Sequence, residues 1–579
     1  MGWNRTREQQ IADLGLVTNM NVNALRTWKG MDPNFMKDLD EFNLAGLPQV
    51  QNLSQPKSEY LSGKISKSLV WTDPRATSRI YSDGAALASA HQTRQAPFAY
   101  LLGNEYTTIG QREPKVWDYG CCDPTTLGAY RSWLEARFHN IEGLNQATGA
   151  SWTSFGDVGF PRKGVDSKIL GYEYAMFLRA SFGRFLRAGY EGIRSVDTRT
   201  PVSYARLLSR WDLACEDGDF SFQEVQGENL YFSWGKDWGD YAIRLARLIG
   251  PSRPALVTET GFATLGRSEQ EFGRLTRQGL WLCAFHPEIF GIFTFAFCDE
   301  WYKNGQANND PGTEKECFYG MVTADRKMKS TGEAMKETYA TFKSFDGFMR
   351  ERASDPVLLL SDQAVDEIFT TNRAFFSPIA KWLYSEGIDF RMITSLQPGR
   401  WSTICPRLVL VDGMFPVDPD GHSGFLTALL QYLRDGGQIL YLSPNPWTGT
   451  YPTPNLPVEL RDAPNGVAVT FGSGKLTVVR HASEPEAWKQ EITAFLASAP
   501  RASLLAKGGP AVYSRVFRTA TQGTFALVLN LNLAMDPLDV PLESVETWDL
   551  VASDGAKFSP QKGGGLLQSL DTFALFKAR

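Results

Sequence analysis

Histidine is scarce: the chain has five in 579 residues, and neither an HExxH nor a CxxC pair occurs. A metal centre built on imidazole or thiolate ligands is therefore not expected, and no cofactor motif takes its place. The seven cysteines are odd in number and scattered, at Cys121, Cys122, Cys215, Cys283, Cys298, Cys317 and Cys405. That pattern points to reduced, mostly buried thiols rather than a disulfide framework. No run of lysine or arginine stands out and the formal net charge is −5, so the electrostatic footprint of a nucleic-acid binder is absent. No window approaches ~18 consecutive apolar residues, which argues against a membrane span. The opening stretch Met1-Gly2-Trp3-Asn4-Arg5-Thr6-Arg7 lacks the apolar centre of a secretory signal, and a cytoplasmic location is the default expectation.

What is present is an ordinary globular composition, 43% hydrophobic and 21% charged, in a chain long enough for two or three domains. Residues 1–350 hold eleven of the sixteen tryptophans and alternate short apolar runs with longer amphipathic ones. Strands are expected at Val22–Arg26, Leu44–Val50, Phe98–Gly103, Pro201–Ala205, Glu224–Tyr231, Ala255–Thr258 and Ile292–Phe297. Helices are expected at Thr125–Phe138, Tyr172–Val196, Trp238–Leu248 and Ser268–Ala284. Strand–helix alternation over this length predicts a (β/α)8 TIM barrel, although only seven strands can be counted and the first is not visible. Residues 351–503 repeat a βαβ rhythm, with strands at Val357–Leu360, Leu408–Val411 and Ile439–Leu442 and helices at Phe376–Tyr384 and Gly424–Arg434. This predicts a doubly wound, flavodoxin-like α/β domain in which Gly436-Gly437 closes a helix rather than cradling a phosphate. Residues 504–579 lose the helical period and read as a small β-sandwich, with strands at Ala511–Phe517, Thr524–Asn530, Glu546–Val551 and Thr572–Phe576.

Two strands of the first domain end in a carboxylate. Phe98-Ala99-Tyr100-Leu101-Leu102-Gly103 runs straight into Asn104-Glu105, and Pro254-Ala255-Leu256-Val257-Thr258 into Glu259. Strand C-termini form the mouth of such a barrel, where catalytic groups sit. A pair of glutamates delivered there from distant parts of the chain is what glycoside hydrolysis requires: one protonates the leaving oxygen, the other attacks or assists at the anomeric carbon. Arg26 and Tyr231 end two further strands. A guanidinium and a phenol beside a carboxylate would hold it ionised, as a nucleophile needs, whereas an acid/base needs a raised pKa. Trp28, Trp117, Trp234 and Trp301 are candidates for stacking on sugar faces. Asp299 and Glu300 are candidates for hydrogen bonds to sugar hydroxyls.

These residues resemble the clan A glycoside hydrolases, in which an Asn-Glu pair on strand four and a glutamate on strand seven perform a double displacement. The resemblance implies that Glu105 is the acid/base and Glu259 the nucleophile, about 5–5.5 Å apart as retention requires. It further implies that Asn104 binds the sugar 2-hydroxyl, that Tyr231 orients Glu259 and that Arg26 lies beside it. Asn229, Trp234, Glu300 and Trp301 complete the expected substrate-binding set, the last two within Asp299-Glu300-Trp301-Tyr302-Lys303. Barrel, amidotransferase-like α/β domain and small β domain together resemble the family 42 β-galactosidases. Tyr130-Arg131-Ser132-Trp133 and Leu433-Arg434-Asp435-Gly436-Gly437 carry the likeness outside the mouth. The four-cysteine zinc cluster of that family is not reproduced, and Phe297 stands where its strand-eight tryptophan is expected. The implied activity is hydrolysis of β-glycosidic bonds in an oligo- or polysaccharide without a cofactor, with the second domain serving structure or homo-oligomerisation. An endo-acting β-glycanase or a transglycosylase would use the same pair, and an inactive carbohydrate-binding barrel is the reading from outside enzymology.

Overall fold

The structure is a computed structural model. It describes residues 6–26, 33–50, 71–91, 97–105, 123–162, 165–206, 222–231, 238–249, 254–299, 318–344, 350–352, 357–360, 373–388, 390–393, 407–411, 430–443, 465–480, 485–497, 504–509, 511–519, 521–533, 536–544 and 546–579.

The first part is a parallel barrel. Its strands are β1 (Ala24–Arg26), β2 (Ala45–Leu47), β3 (Tyr100–Asn104), β4 (Val202–Arg206), β5 (Gln226–Asn229), β6 (Ala255–Thr260) and β7 (Ile289–Thr294). β1 pairs with β2, and the amides of Phe98 and Leu101 reach Gly46 O at 2.8 Å and Pro48 O at 2.9 Å to carry the sheet into β3. From β3 to β7 each strand pairs with the next in parallel. These are seven strands among the described residues, as the apolar runs predicted. No ladder among the described residues joins β7 to β1, yet the two lie against each other.

Every residue of β3, β4, β5 and β6 is buried, as expected of barrel strands covered by helices outside and filled by side chains within. Leu47, Ala99, Leu101, Ala205, Val225, Leu256 and Phe293 form the apolar filling. The covering helices begin where the sequence supplies caps. Asp123 accepts from Thr126 N at 3.0 Å ahead of the Pro124–Phe138 helix, and Ser268 and Glu271 form a capping box on Glu269–Ala284.

One strand expectation shifts. The run expected as Ile292–Phe297 folds as Ile289–Thr294, because the chain leaves the ladder where Phe295 N donates to Thr260 O at 2.7 Å. Beyond that point Ala296–Cys298 pairs instead with the segment at Tyr319–Val322. An apolar run without a breaking residue does not reveal such a change of partner.

A six-stranded sheet follows, made of β9 (Val357–Leu360), β10 (Phe390–Ile393), β11 (Arg407–Val411), β12 (Gln438–Ser443), β13 (Ala468–Phe471) and β14 (Gly474–Arg480) in the order β10-β9-β11-β12-β14-β13. All pairings are parallel except the β13 edge. The chain steps to one side of β9 and then to the other, which is the doubly wound pattern. Gly436, at φ +97°, ends a helix as expected, and Gly437 N donates to Tyr432 O at 2.8 Å.

The C-terminal part is a sandwich of two antiparallel sheets. One runs β15-β18-β21-β20: β15 (Leu504–Ala506), β18 (Leu538–Ser544), β20 (Lys557–Gln561) and β21 (Gly564–Leu570). The other runs β19-β22-β17-β16-β8: β8 (Arg350–Arg352), β16 (Val512–Thr519), β17 (Gly523–Asn530), β19 (Trp548–Ser553) and β22 (Phe573–Ala578). β8 is the edge strand of the second sheet, with Arg352 opposite Phe517. The boundary expected at residue 350 therefore falls inside a strand of the sandwich, reached before the α/β sheet begins.

The three parts share one apolar core. Trp281 on a barrel helix stacks on Phe573 of the sandwich with centroids 4.0 Å apart, and Gln278 Nε2 donates to Asn530 O at 2.8 Å. Arg515 of the sandwich reaches Phe285 O at 2.8 Å, and Tyr384 before β10 donates to Ala242 O at 3.1 Å. Among the described residues no helix is long and apolar enough to cross a membrane.

Candidate active site

Both strand-end glutamates sit where the ladder is irregular. On β3 the pairing to β4 slips between Leu101 and Asn104, Gly103 has φ +134° and Glu105 itself has φ +46°. A glutamate in left-handed backbone costs about 1 kcal/mol; here Glu105 N is held by Ala205 O at 2.9 Å. On β6 the pairing to β7 slips between Val257 and Thr260, and the pairing to β5 slips so that Asn229 stands opposite Glu259. Ladder breaks of this kind re-aim side chains at barrel rims.

Arg26 is the centre of the network. Its Nη1 lies 2.7 Å from Glu259 Oε1 and 2.9 Å from Thr258 O, and its Nη2 lies 3.0 Å from Gln49 Oε1 and 2.5 Å from Asn104 Oδ1. The other oxygen of Glu259, Oε2, accepts from Tyr231 at 2.5 Å. Both oxygens of the carboxyl are thus held, one by a cation and one by a phenol.

Burial dominates the titration of Glu259 and raises its pKa above the usual carboxylate value. The Arg26 charge and the Tyr231 hydrogen bond pull the other way without fully offsetting it. The expectation that Arg26 and Tyr231 would lower this pKa is corrected: the net direction is upward, because Glu259 is only 5% exposed. Burial and the Glu259 charge push the Tyr231 phenol well above its ordinary value, so it remains a donor. Phe295 and Tyr319 meet the Tyr231 ring edge-on at 6.4 and 5.6 Å.

Glu105 is only partly buried. Asn229 Nδ2 donates to Glu105 Oε1 at 2.7 Å and to Asn104 Oδ1 at 2.9 Å. Asn229 Oδ1 accepts from Thr258 Oγ1 at 2.7 Å and from Arg26 Nη1 at 3.3 Å. The side chain is completely buried, and an amide has two donor hydrogens and two acceptor lone pairs. All four are engaged within the protein, so the expected contact of Asn229 with sugar is corrected: it ties Glu105 to the Arg26 and Glu259 group.

Glu105, Glu259, Arg26, Asn104 and Tyr231 are thus brought together at one mouth. Trp28, Trp117, Trp234, Glu300, Trp301 and the Cys121-Cys122 pair lie outside the described residues. Asp299, considered for sugar binding, is instead paired with Lys329 at 2.9 Å and accepts from Gly320 N at 2.8 Å. Lys329 also reaches Thr264 Oγ1 at 2.6 Å, so the pair fastens the Tyr319 segment beside the mouth. Phe297 packs with Leu14 and Met36, and the ring beside Tyr231 is Phe295. Sequence reasoning missed Gln49, Thr258, Phe295 and Tyr319. A polar residue near a strand end was the available signal for the first two; Tyr319, far from any predicted strand, had none. Among the described residues no three His, Cys, Asp or Glu side chains are grouped to hold a metal, and the described thiols Cys283 and Cys298 are separate and buried.

The sequence family described as β-galactosidase, glycoside hydrolase family 42, matches over residues 66–222. Solved structures agree with the fold over the whole chain. The β-galactosidase from Bacillus circulans sp. alkalophilus aligns with a TM-score of 0.76 at 11% identity, covering 100% of this chain and 97% of that one. The β-galactosidase from the haloarchaeon Halorubrum lacusprofundi gives 0.73 at 13%, covering 99% and 98%. A family 42 exo-carrageenase from Bacteroides ovatus gives 0.65 at 14%, covering 100% and 82%. The fold of this chain is thus similar to that of these enzymes over its whole length, and the family model matches residues 66–222 within the barrel part.

Proposed function

We infer that the chain is a retaining glycoside hydrolase that cleaves terminal β-galactoside-type bonds by double displacement. The observation that carries this reading is the convergence of two strand-end carboxyls in one hydrogen-bonded group with opposite surroundings: Glu259 buried and held by Arg26 and Tyr231, Glu105 partly exposed and held by an amide.

In the first step a Glu259 oxygen bonds to the anomeric carbon as the glycosidic C–O bond breaks. The leaving oxygen takes the electron pair and a proton from Glu105. In the second step the Glu105 carboxylate removes a proton from water, the water oxygen attacks the anomeric carbon, and the bond to Glu259 breaks with configuration retained. Arg26 and Tyr231 hold the charge of Glu259 as it departs. The two lone pairs of Asn104 Oδ1 are taken by Arg26 and Asn229, which orients its amide group for the sugar 2-hydroxyl. Trp234, Glu300 and Trp301 are assigned to the sugar-binding rim on the resemblance alone.

The galactose-type glycone follows from the family match and the β-galactosidases of like fold; the exo-carrageenase of like fold favours longer glycans cut from an end as the second substrate to try. We further assign residues 1–350, 351–503 and 504–579 to barrel, α/β and sandwich units, with β8 as the exception noted above. A cytoplasmic location and self-association through the α/β unit belong to the same reading. A panel of nitrophenyl β-glycosides and carrageenan oligosaccharides, assayed with Glu259→Gln as the control, tests it. Release of one sugar, first as its β-anomer by NMR and lost in the variant, is expected. Hydrolysis that persists in Glu259→Gln, or an α-anomer formed first, would overturn the reading.

A further inference from the structure

Asn229 is unlike the other polar groups of the mouth. It has no exposed surface, and each of its hydrogen-bonding positions is matched by a partner of the right polarity. Its orientation is not arbitrary. Arg26 can only donate, so the amide edge within 3.3 Å of Arg26 Nη1 is the oxygen and the edge facing Glu105 is the nitrogen. Thr258, one residue before Glu259, donates to the same oxygen at 2.7 Å. The ladder slip that places Asn229 opposite Glu259 puts this amide between the two strand ends.

Each carboxyl oxygen has two lone pairs, and the one that accepts from a fixed N–H is favoured as the carbonyl oxygen of the protonated acid, the hydroxyl oxygen being the weaker acceptor. Protonation of the carboxyl then falls on the other oxygen. We propose that Asn229 is a positioning residue for the glycosidase reaction, which fixes the Glu105 carboxyl with Oε1 as acceptor and the transferable proton on Oε2, and links it to the Arg26 and Glu259 group. The proposal rests on the glycosidase reading above. It adds that the proton is presented from one atom in one direction, and that the second carboxyl is set by the same side chain that steadies the partners of the first.

Among the described residues, the charged and titratable groups on the strands flanking Asn229 are Arg26 on β1, the Arg206–Glu228 pair on β4 and β5, Tyr231 just past β5, and Glu259 on β6. Arg206 and Glu228 are paired with each other at 3.3 Å, and Asn229 reaches Glu105 by its own N–H donation.

Asn229→Asp is close to isosteric and exchanges the donor edge for an oxygen facing Glu105 Oε1. Two measurements are needed. In protein carrying carboxyl-13C glutamate, the Glu105 resonance, assigned by its loss in Glu105→Gln, should titrate about one pH unit or more higher in Asn229→Asp than in wild type. Asn229→Ala removes the donor without adding an oxygen and should move it in the same direction by less. In kinetics, the loss of kcat/KM should exceed tenfold for alkyl or unsubstituted phenyl glycosides and be threefold or less for dinitrophenyl glycosides, whose leaving group needs little protonation, with KM nearly unchanged.

An unmoved Glu105 titration in a folded variant overturns the proposal. A rise in KM at constant kcat makes Asn229 a sugar contact, and equal loss for both leaving groups places its action on Glu259; either result also overturns it. A wild-type protein that cleaves no β-glycoside sinks the glycosidase reading instead, and the titration still decides whether Asn229 governs Glu105.

Discussion

The exits of β3 and β6 deliver the same side chain into two different environments. At β6, Glu259 is buried, lies within the strand where the ladder slips, and has its two oxygens held by Arg26 and Tyr231. At β3, Glu105 is itself in left-handed backbone, is partly exposed, and accepts from the Asn229 amide. A strong, cation-held cradle suits a group that must be an anion before it attacks. A neutral partner suits a group that must give up a proton and recover it. On the proposed reading the two carboxyls would acquire two tasks through the company each strand end keeps, not through any difference between the residues.

Replacing the buried member should have the largest effect. Glu259→Gln keeps the shape, loses the nucleophile, and should bring turnover of an aryl β-glycoside below detection; residual turnover near wild type would reverse the assignment of the two exits. Glu105→Ala should cost about 10²–10⁴-fold with a poor leaving group. Added azide should restore product as the β-glycosyl azide, and an α-azide would contradict retention.

Tyr231→Phe removes one hydrogen bond to a charged group, about 1.5–3 kcal/mol, so kcat/KM should fall roughly ten- to a hundredfold. Its pH profile carries a sign. Burial raises the Glu259 pKa and Tyr231 lowers it, so losing the phenol raises it further and the acidic limb must move to higher pH; a limb that stays or moves down would show that Tyr231 does not act on the anion. Thr258→Val should have the smallest effect. It frees Asn229 Oδ1 from one donor at 2.7 Å, a change of about 0.5–1.5 kcal/mol that corresponds to roughly a two- to tenfold loss in rate. A loss as large as that of Glu105→Ala would mean that Thr258 itself touches the reacting atoms.

Much of this was legible in the sequence because burial and charge conflict there. An apolar strand ending in Asn104-Glu105 or Thr258-Glu259 has no local reason to place a carboxylate at its end, so the chemistry shows through. The doubly wound class and the β character of the C-terminal part were readable from periods of hydrophobicity, but β10, β13 and β14 and the whole sheet β15-β18-β21-β20 were not. The place of Asn229 between the two strand ends was not, since it depends on a one-residue slip between β5 and β6 that no hydrophobic period encodes. Phe295 and Phe297 are two places apart in one apolar run, and only the departure from the ladder at Thr294 decides which of them meets Tyr231. Asp299 looked like a ligand for sugar because Lys329, its partner, lies thirty residues on.

The edge strand β8 carries a consequence for how the chain is assembled. Arg350–Arg352 and Leu504–Ala506 belong to opposite sheets of the same sandwich, and the whole α/β sheet is strung between them. That unit is therefore an insertion held at both ends on one body, rather than a bead between two linkers. During synthesis β8 emerges before the insertion and must wait for β16, so the sandwich closes only after the inserted sheet has left the ribosome. A single protease cut within the insertion would leave two fragments still gripping each other across one continuous core, migrating as one particle until denatured.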